Sequence, residues 1–169
     1  RSEIHEERLV ALLILVRNYP KADQQAQKRI YDLYMGHLGF VNNWDLVDVS
    51  AEHVVGAFLW DKDKSPLYRL ARSKDLWERR VSMLATFHYI KRDEFSETLR
   101  IAGMLLLDEE DLIHKAVGWM LREVGKKDIA ALHDFLDRYL VTIPRTMLRY
   151  AIERFPEPLR QHYLQARFR

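Results

Sequence analysis

Lys115-Ala116-Val117-Gly118-Trp119-Met120-Leu121-Arg122-Glu123 decides the fold class. The stretch opens with a cation and continues as an amphipathic helix. Helical spacing sets Lys115, Trp119 and Arg122 along one face. Three other segments repeat the pattern: Arg8-Leu9-Val10-Ala11-Leu12-Leu13-Ile14-Leu15, Arg80-Val81-Ser82-Met83-Leu84-Ala85-Thr86-Phe87 and Arg145-Thr146-Met147-Leu148-Arg149-Tyr150-Ala151-Ile152. The last three cation-led segments recur at about 30–40 residues, each paired with another helix.

Helical period extends outward from these segments over the whole chain. It predicts helices over Glu3 to Tyr19, Ala22 to Leu38, Asn43 to Val47, Ala51 to Trp60, Pro66 to Arg72, Asp75 to Arg92, Glu94 to Leu107, Asp111 to Lys126, Asp128 to Leu140 and Pro144 to Phe155, with a final helix from Pro158. Ser50 reads as the N-cap of the fourth. No β alternation is present. The expected fold is therefore all-α, a HEAT- or armadillo-like helical-repeat solenoid forming one domain over residues 1–169. Two readings stand for the repeated cations. They are solvated helix starts, or they form a basic stripe along a concave cleft that follows a phosphate backbone.

Composition agrees with a single globular domain. Apolar residues make up 48% of 169 and charged residues 31%, enough to bury a core and too ordered a mixture for a disordered chain. There is no cysteine, which excludes disulfides and thiolate metal sites and gives an expectation of a reducing, cytoplasmic setting. The greasiest run, Ala11-Leu12-Leu13-Ile14-Leu15-Val16, is far too short to span a membrane. The seven histidines show no metal-ligand spacing, so no metal is expected. No Walker loop, GxGxxG pattern or serine nucleophile elbow is present, and no cofactor is expected.

A constellation across three helices holds the candidate chemistry. Asn43-Trp44-Asp45-Leu46-Val47-Asp48 sets an indole and a carboxylate four residues apart on one helical face. With Arg80 and Trp119, two indoles, a carboxylate and a guanidinium could meet on one surface. Each residue also has a plain structural reading. Asp48 could cap the helix after Ser50, and Trp44 and Trp119 could be core. Arg80 could pair with Glu78 or Asp75, with Arg79 competing for its role. Trp60 and Trp77 read as packing residues, as do Tyr31, Tyr34, Phe87, Tyr89 and Phe95.

These motifs resemble the DNA alkylation repair enzymes, the HEAT-like-repeat DNA glycosylases. The matching stretches are Ser2 to Leu9, Asn43 to Asp48, Leu76 to Val81, His114 to Glu123 and Pro144 to Ala151, in register over nearly the whole chain. The resemblance implies a monomeric solenoid that grips duplex DNA and excises N3- and N7-alkylated purines in base excision repair. By the same resemblance Asp48 is the catalytic carboxylate, Trp44 and Trp119 the aromatic walls, and Arg80 an arginine contacting DNA at the site. Arg79, Lys115, Arg122, Arg145 and Arg149 are the accompanying DNA-binding candidates. Further helices ahead of this region are implied too. Asn43 departs from the pattern, since some relatives carry a second aromatic there. Two alternatives remain at this point: a HEAT-like scaffold for a protein partner, and a DNA-binding relative without catalysis.

Overall fold

Several helix starts in this chain are set by aspartate side chains. Asp75 accepts from the backbone N–H of Trp77 and Glu78, at 2.7 and 3.2 Å. Asp23 and Asp128 do the same for Ala26 and Ala131. Each satisfies a backbone donor that the first turn leaves without a helical partner. The computed structural model describes residues 2–166, and those residues contain helices and no strand. The expected helix after Pro158 begins slightly earlier, and the part of it beyond residue 166 lies outside the described residues, as does Arg1.

In chain order the helices are α1 (His5–Asn18), α2 (Gln24–Met35), α3 (Trp44–Asp48), α4 (Ala57–Leu59), α5 (Ser65–Ala71), α6 (Leu76–Ala85), α7 (Phe87–Ile90), α8 (Ser96–Met104), α9 (Asp111–Lys127), α10 (Ile129–Tyr139), α11 (Arg145–Ala151) and α12 (Glu157–Ala166). Helices α1, α3, α6, α9 and α11 form a row in which each touches the next. Helix α5 packs on α6, while α8 and α10 pack on α9. The core lies between these layers. Leu46 and Val47 of α3, Val81 and Met83 of α6, and Val117 and Leu121 of α9 are fully buried in it. Each such side chain contributes about 1.5–3 kcal/mol by leaving water.

Two expected helices are interrupted, for local reasons. The stretch from Asp75 to Arg92 divides at Thr86, whose hydroxyl donates to the Met83 carbonyl at 2.7 Å. A threonine that hydrogen-bonds back along its own helix competes with the backbone ladder and bends it. The stretch after α3 does not start on a Ser50 cap. Ser50 is buried, donates to the Leu46 carbonyl at 2.5 Å, and lies 3.0 Å from the Tyr34 hydroxyl. The chain then runs through a π-helical turn at Glu52–Gly56 before α4. A Cβ on Gly56 would stand 2.1 Å from the Ala85 carbonyl oxygen, so only glycine lets this turn lie against α6.

Candidate functional site

Asp48 and Arg80 form the centre of the site. Leu46 and Val47 anchor α3 in the core, and Asp48, at its last turn, is directed toward α6. Arg80 is only 5% exposed. Its Nε and Nη2 donate to the two carboxylate oxygens of Asp48, both at 2.8 Å. Its Nη1 donates to the Leu112 carbonyl in the first turn of α9, at 2.6 Å. One guanidinium thus ties three helices of the row together. A forked pair of this kind is both strong and geometrically exacting, since two parallel charge-assisted bonds fix the carboxylate plane. Glu78 and Asp75, the local partners open to Arg80 in the sequence, do not hold it. Asp48 caps no helix.

Beside this pair, on the Arg80 side, lies an open pocket of about 260 Å³, lined by Trp44, Arg80, Leu112, Lys115, Trp119, Arg122 and Tyr150. Trp44 opens α3 and is 55% exposed, so it is not a core residue. The Asn43 side chain accepts from the Trp44 backbone N–H at 2.7 Å and sets the start of α3. Trp119 is half-buried, its ring edge-on to Phe87 with centroids 5.9 Å apart. Its indole N–H donates to Glu123 at 3.2 Å. Phe87 therefore does more than pack, because it supports a wall of the pocket. Trp77 packs against the core as expected. Trp60 lies at the surface, 37% exposed, with the Arg92 guanidinium 5.5 Å from its ring centre.

Tyr150 was missed by the sequence reading, although it sits in one of the repeated segments. It reaches the pocket because Gly118 lets α11 lie directly on α9. A Cβ at Gly118 would stand 2.5 Å from both the Met147 carbonyl oxygen and the Tyr150 Cβ. That glycine, next to Trp119, was the available signal.

The predicted cations divide. Lys115 lines the pocket and pairs with Asp111 one turn back, at 2.7 Å. The hydrogen bond that Lys115 donates to Asp111, and then the charge of that carboxylate, hold the ammonium above the ordinary lysine pKa. Arg122 also lines the pocket, but it is drawn to Glu153 in the turn after α11, with Glu123 beside its Nε at 3.5 Å. Arg79 faces elsewhere. It forks onto Asp108 at 2.6 and 3.2 Å and donates to the Ser73 and Lys74 carbonyls. Arg145 donates to the Leu164 carbonyl at 2.7 Å, and Arg149 is exposed on α11. Among the described residues, no three His, Asp or Glu side chains converge as a metal-ligand set. No described helix is long and apolar enough to cross a membrane.

A family model for DNA alkylation repair enzymes matches residues 1–155, which include every residue of this pocket. The chain belongs to the DNA alkylation repair enzyme family. A comparison with curated proteins gives no match. Membership in a DNA alkylation repair family implies binding to DNA and enzymatic action in the repair of alkylated DNA. The pocket offers groups suited to that setting: two indoles, a phenol and cations line one open concavity, and the Asp48 carboxylate stands behind Arg80 at its edge.

Proposed function

We propose that the protein is a monofunctional DNA glycosylase that excises positively charged N3- and N7-alkylated purines, such as 7-methylguanine and 3-methyladenine, from duplex DNA. It initiates base excision repair, acting as a cytoplasmic monomer. The chain forms a single HEAT-like-repeat domain over residues 1–169, and its row of helices presents a concave basic cleft to the duplex. The observation that carries this reading is the Asp48 carboxylate, fixed by Arg80 beside a pocket walled by Trp44 and Trp119.

Alkylation at N3 or N7 gives the purine a formal positive charge and makes it a good leaving group. When the bond from C1′ to the base nitrogen breaks, its electron pair goes to the purine, which departs neutral. The sugar becomes oxocarbenium-like and cationic. A fixed carboxylate stabilises that charge without rearranging during the reaction. Arg80 occupies one lone pair on each Asp48 oxygen, and the other lone pair on each remains able to accept from water. That water adds to C1′ and releases its proton to the carboxylate. Indole faces attract the cationic base and sugar, at about 0.5–2 kcal/mol each.

Lys115 does not change the expectation of a monofunctional enzyme. A nucleophilic lysine needs a lowered pKa, and Asp111 raises this one. The Arg80 nitrogens are all committed within the protein, so its first role is to hold Asp48.

The test is base release from a duplex carrying a single 7-methylguanine, wild type against Asp48→Asn. Release by the wild type that the variant largely loses, with duplex binding nearly intact, supports the reading. No release by the wild type overturns it.

A further inference from the structure

One pocket residue has no part in the reading above. Tyr150 is 37% exposed, although its neighbours Met147, Leu148 and Ala151 on α11 are buried. Its ring is outside the apolar core, yet it shares a lining with Trp44 and Trp119. The close approach at Gly118 brings it there, since any larger residue at 118 would push α11 away. The phenol is near enough to Lys115 to contribute, after Asp111, to the raised pKa of that ammonium.

The cations of the pocket are unequal in their commitments. Arg80 is tied to Asp48 and Leu112, and Arg122 is drawn to Glu153. Among the described residues Lys115 forms its ion pair with Asp111 alone, on the same helix, with the two side chains 41% and 56% exposed. An exposed pair of this kind is worth little, so its cation exchanges readily for a phosphate. A phenol O–H beside an ammonium gives two donors, one neutral and one charged, at the edge of an aromatic wall.

We propose that Tyr150 contacts the damaged nucleotide, its ring closing the pocket's third side and its phenol, with the Lys115 ammonium, donating to the phosphodiester beside the lesion. The proposal rests on the glycosylase reading and adds a substrate contact to it. A cation on a phosphate displaces a counterion, whereas a phenol does not. The two donors therefore leave different signatures in salt.

The experiment measures duplex affinity over a series of salt concentrations and single-turnover release of 7-methylguanine for wild type, Tyr150→Phe, Tyr150→Ala and Lys115→Gln. Tyr150→Phe is expected to weaken binding about five-fold with the salt slope unchanged. Lys115→Gln is expected to reduce that slope by about 0.9. Tyr150→Ala is expected to slow release about ten-fold with the thermal midpoint held within about 2 °C, since the ring is partly exposed and outside the core.

Wild type that releases base, with both Tyr150 variants equal to it, overturns this proposal and leaves the glycosylase reading standing. Wild type that binds duplex without releasing base, with Tyr150→Phe still weakening binding at constant slope, overturns the glycosylase reading and retains the phosphate contact. A fall in thermal midpoint matching the loss of binding makes Tyr150 structural and overturns the proposal. Wild type that binds no duplex overturns both.

Discussion

Replacing Asp48 by asparagine tests the site twice, because the same carboxylate holds the fold and, in the proposed reaction, stabilises the sugar cation. Asparagine keeps one acceptor for Arg80 and turns an NH2 toward its second donor. One of two charge-assisted bonds at 2.8 Å is lost, and the other keeps its charged donor but loses its charged acceptor. The guanidinium, 5% exposed, keeps the Leu112 carbonyl but loses its counter-charge. Removing one partner of a buried pair costs about 3–5 kcal/mol, and one hydrogen bond to a charged group about 1.5–3. The surviving acceptor and the partial exposure of Asp48 bring the expected loss to about 2–3 kcal/mol. In a domain of this size that lowers the thermal midpoint by about 5–10 °C. A domain stable by about 5–15 kcal/mol stays folded at 25 °C after such a loss. Single-turnover release at that temperature should nevertheless fall about 100-fold or more, as when a preorganised electrostatic group is removed. Urea unfolding gives the first quantity and release from a saturated 7-methylguanine duplex the second. The same substitution made in an Arg80→Met background should cost under about 1 kcal/mol, because no buried cation is left stranded. A variant as stable as wild type would refute the energetic argument. Release reduced only by the unfolded fraction would refute the chemical one.

Other perturbations separate wall, scaffold and surface. Trp44→Ala removes an exposed ring, so stability should change by under about 0.5 kcal/mol while release slows roughly 3- to 30-fold; unfolding and release assays run in parallel decide it, and a destabilised variant would return Trp44 to a packing role. Gly118→Ala drives a methyl into the Met147 carbonyl and the Tyr150 Cβ, so α11 must shift; a loss of about 1–3 kcal/mol in unfolding free energy is expected with slower release, and an unaltered unfolding curve would contradict the close approach. Burial first, then the charges of Arg92, His53 and Lys91, lower the pKa of His88 from the ordinary 6.5 to about 4. The neutral form is favoured in the fold, so this stability is complete above pH 6.5 and is lost as pH falls toward 4. The urea midpoint of wild type should drop across that window more steeply than that of His88→Gln, and parallel profiles would exclude the effect.

Secondary structure was legible in the sequence wherever the signal is local. Asp75 and Asp128 announce helix starts because a carboxylate two or three residues ahead of a free N–H satisfies it whatever lies elsewhere. The breaks were less legible. Thr86 and Ser50 redirect their hydroxyls to carbonyls within the same segment, and a threonine or serine in a helical pattern is equally compatible with solvent exposure or capping.

The sequence alone determined that the chain is helical, and that Lys115, Trp119 and Arg122 share one face, as do Trp44 and Asp48, because 3.6 residues per turn leaves no choice. Tertiary structure alone decided which arginine meets Asp48. Arg79 and Arg80 are adjacent in the chain and about 100° apart around α6. One forks onto Asp108, 29 residues away, and the other onto Asp48, 32 residues away. Only the packing of α3 and of the segment leading into α9 around α6 assigns them. Tyr150 joins the pocket for the same kind of reason: a missing Cβ on one helix sets how near the next can come, and that distance is a property of two surfaces in contact, absent from either strand of sequence read by itself.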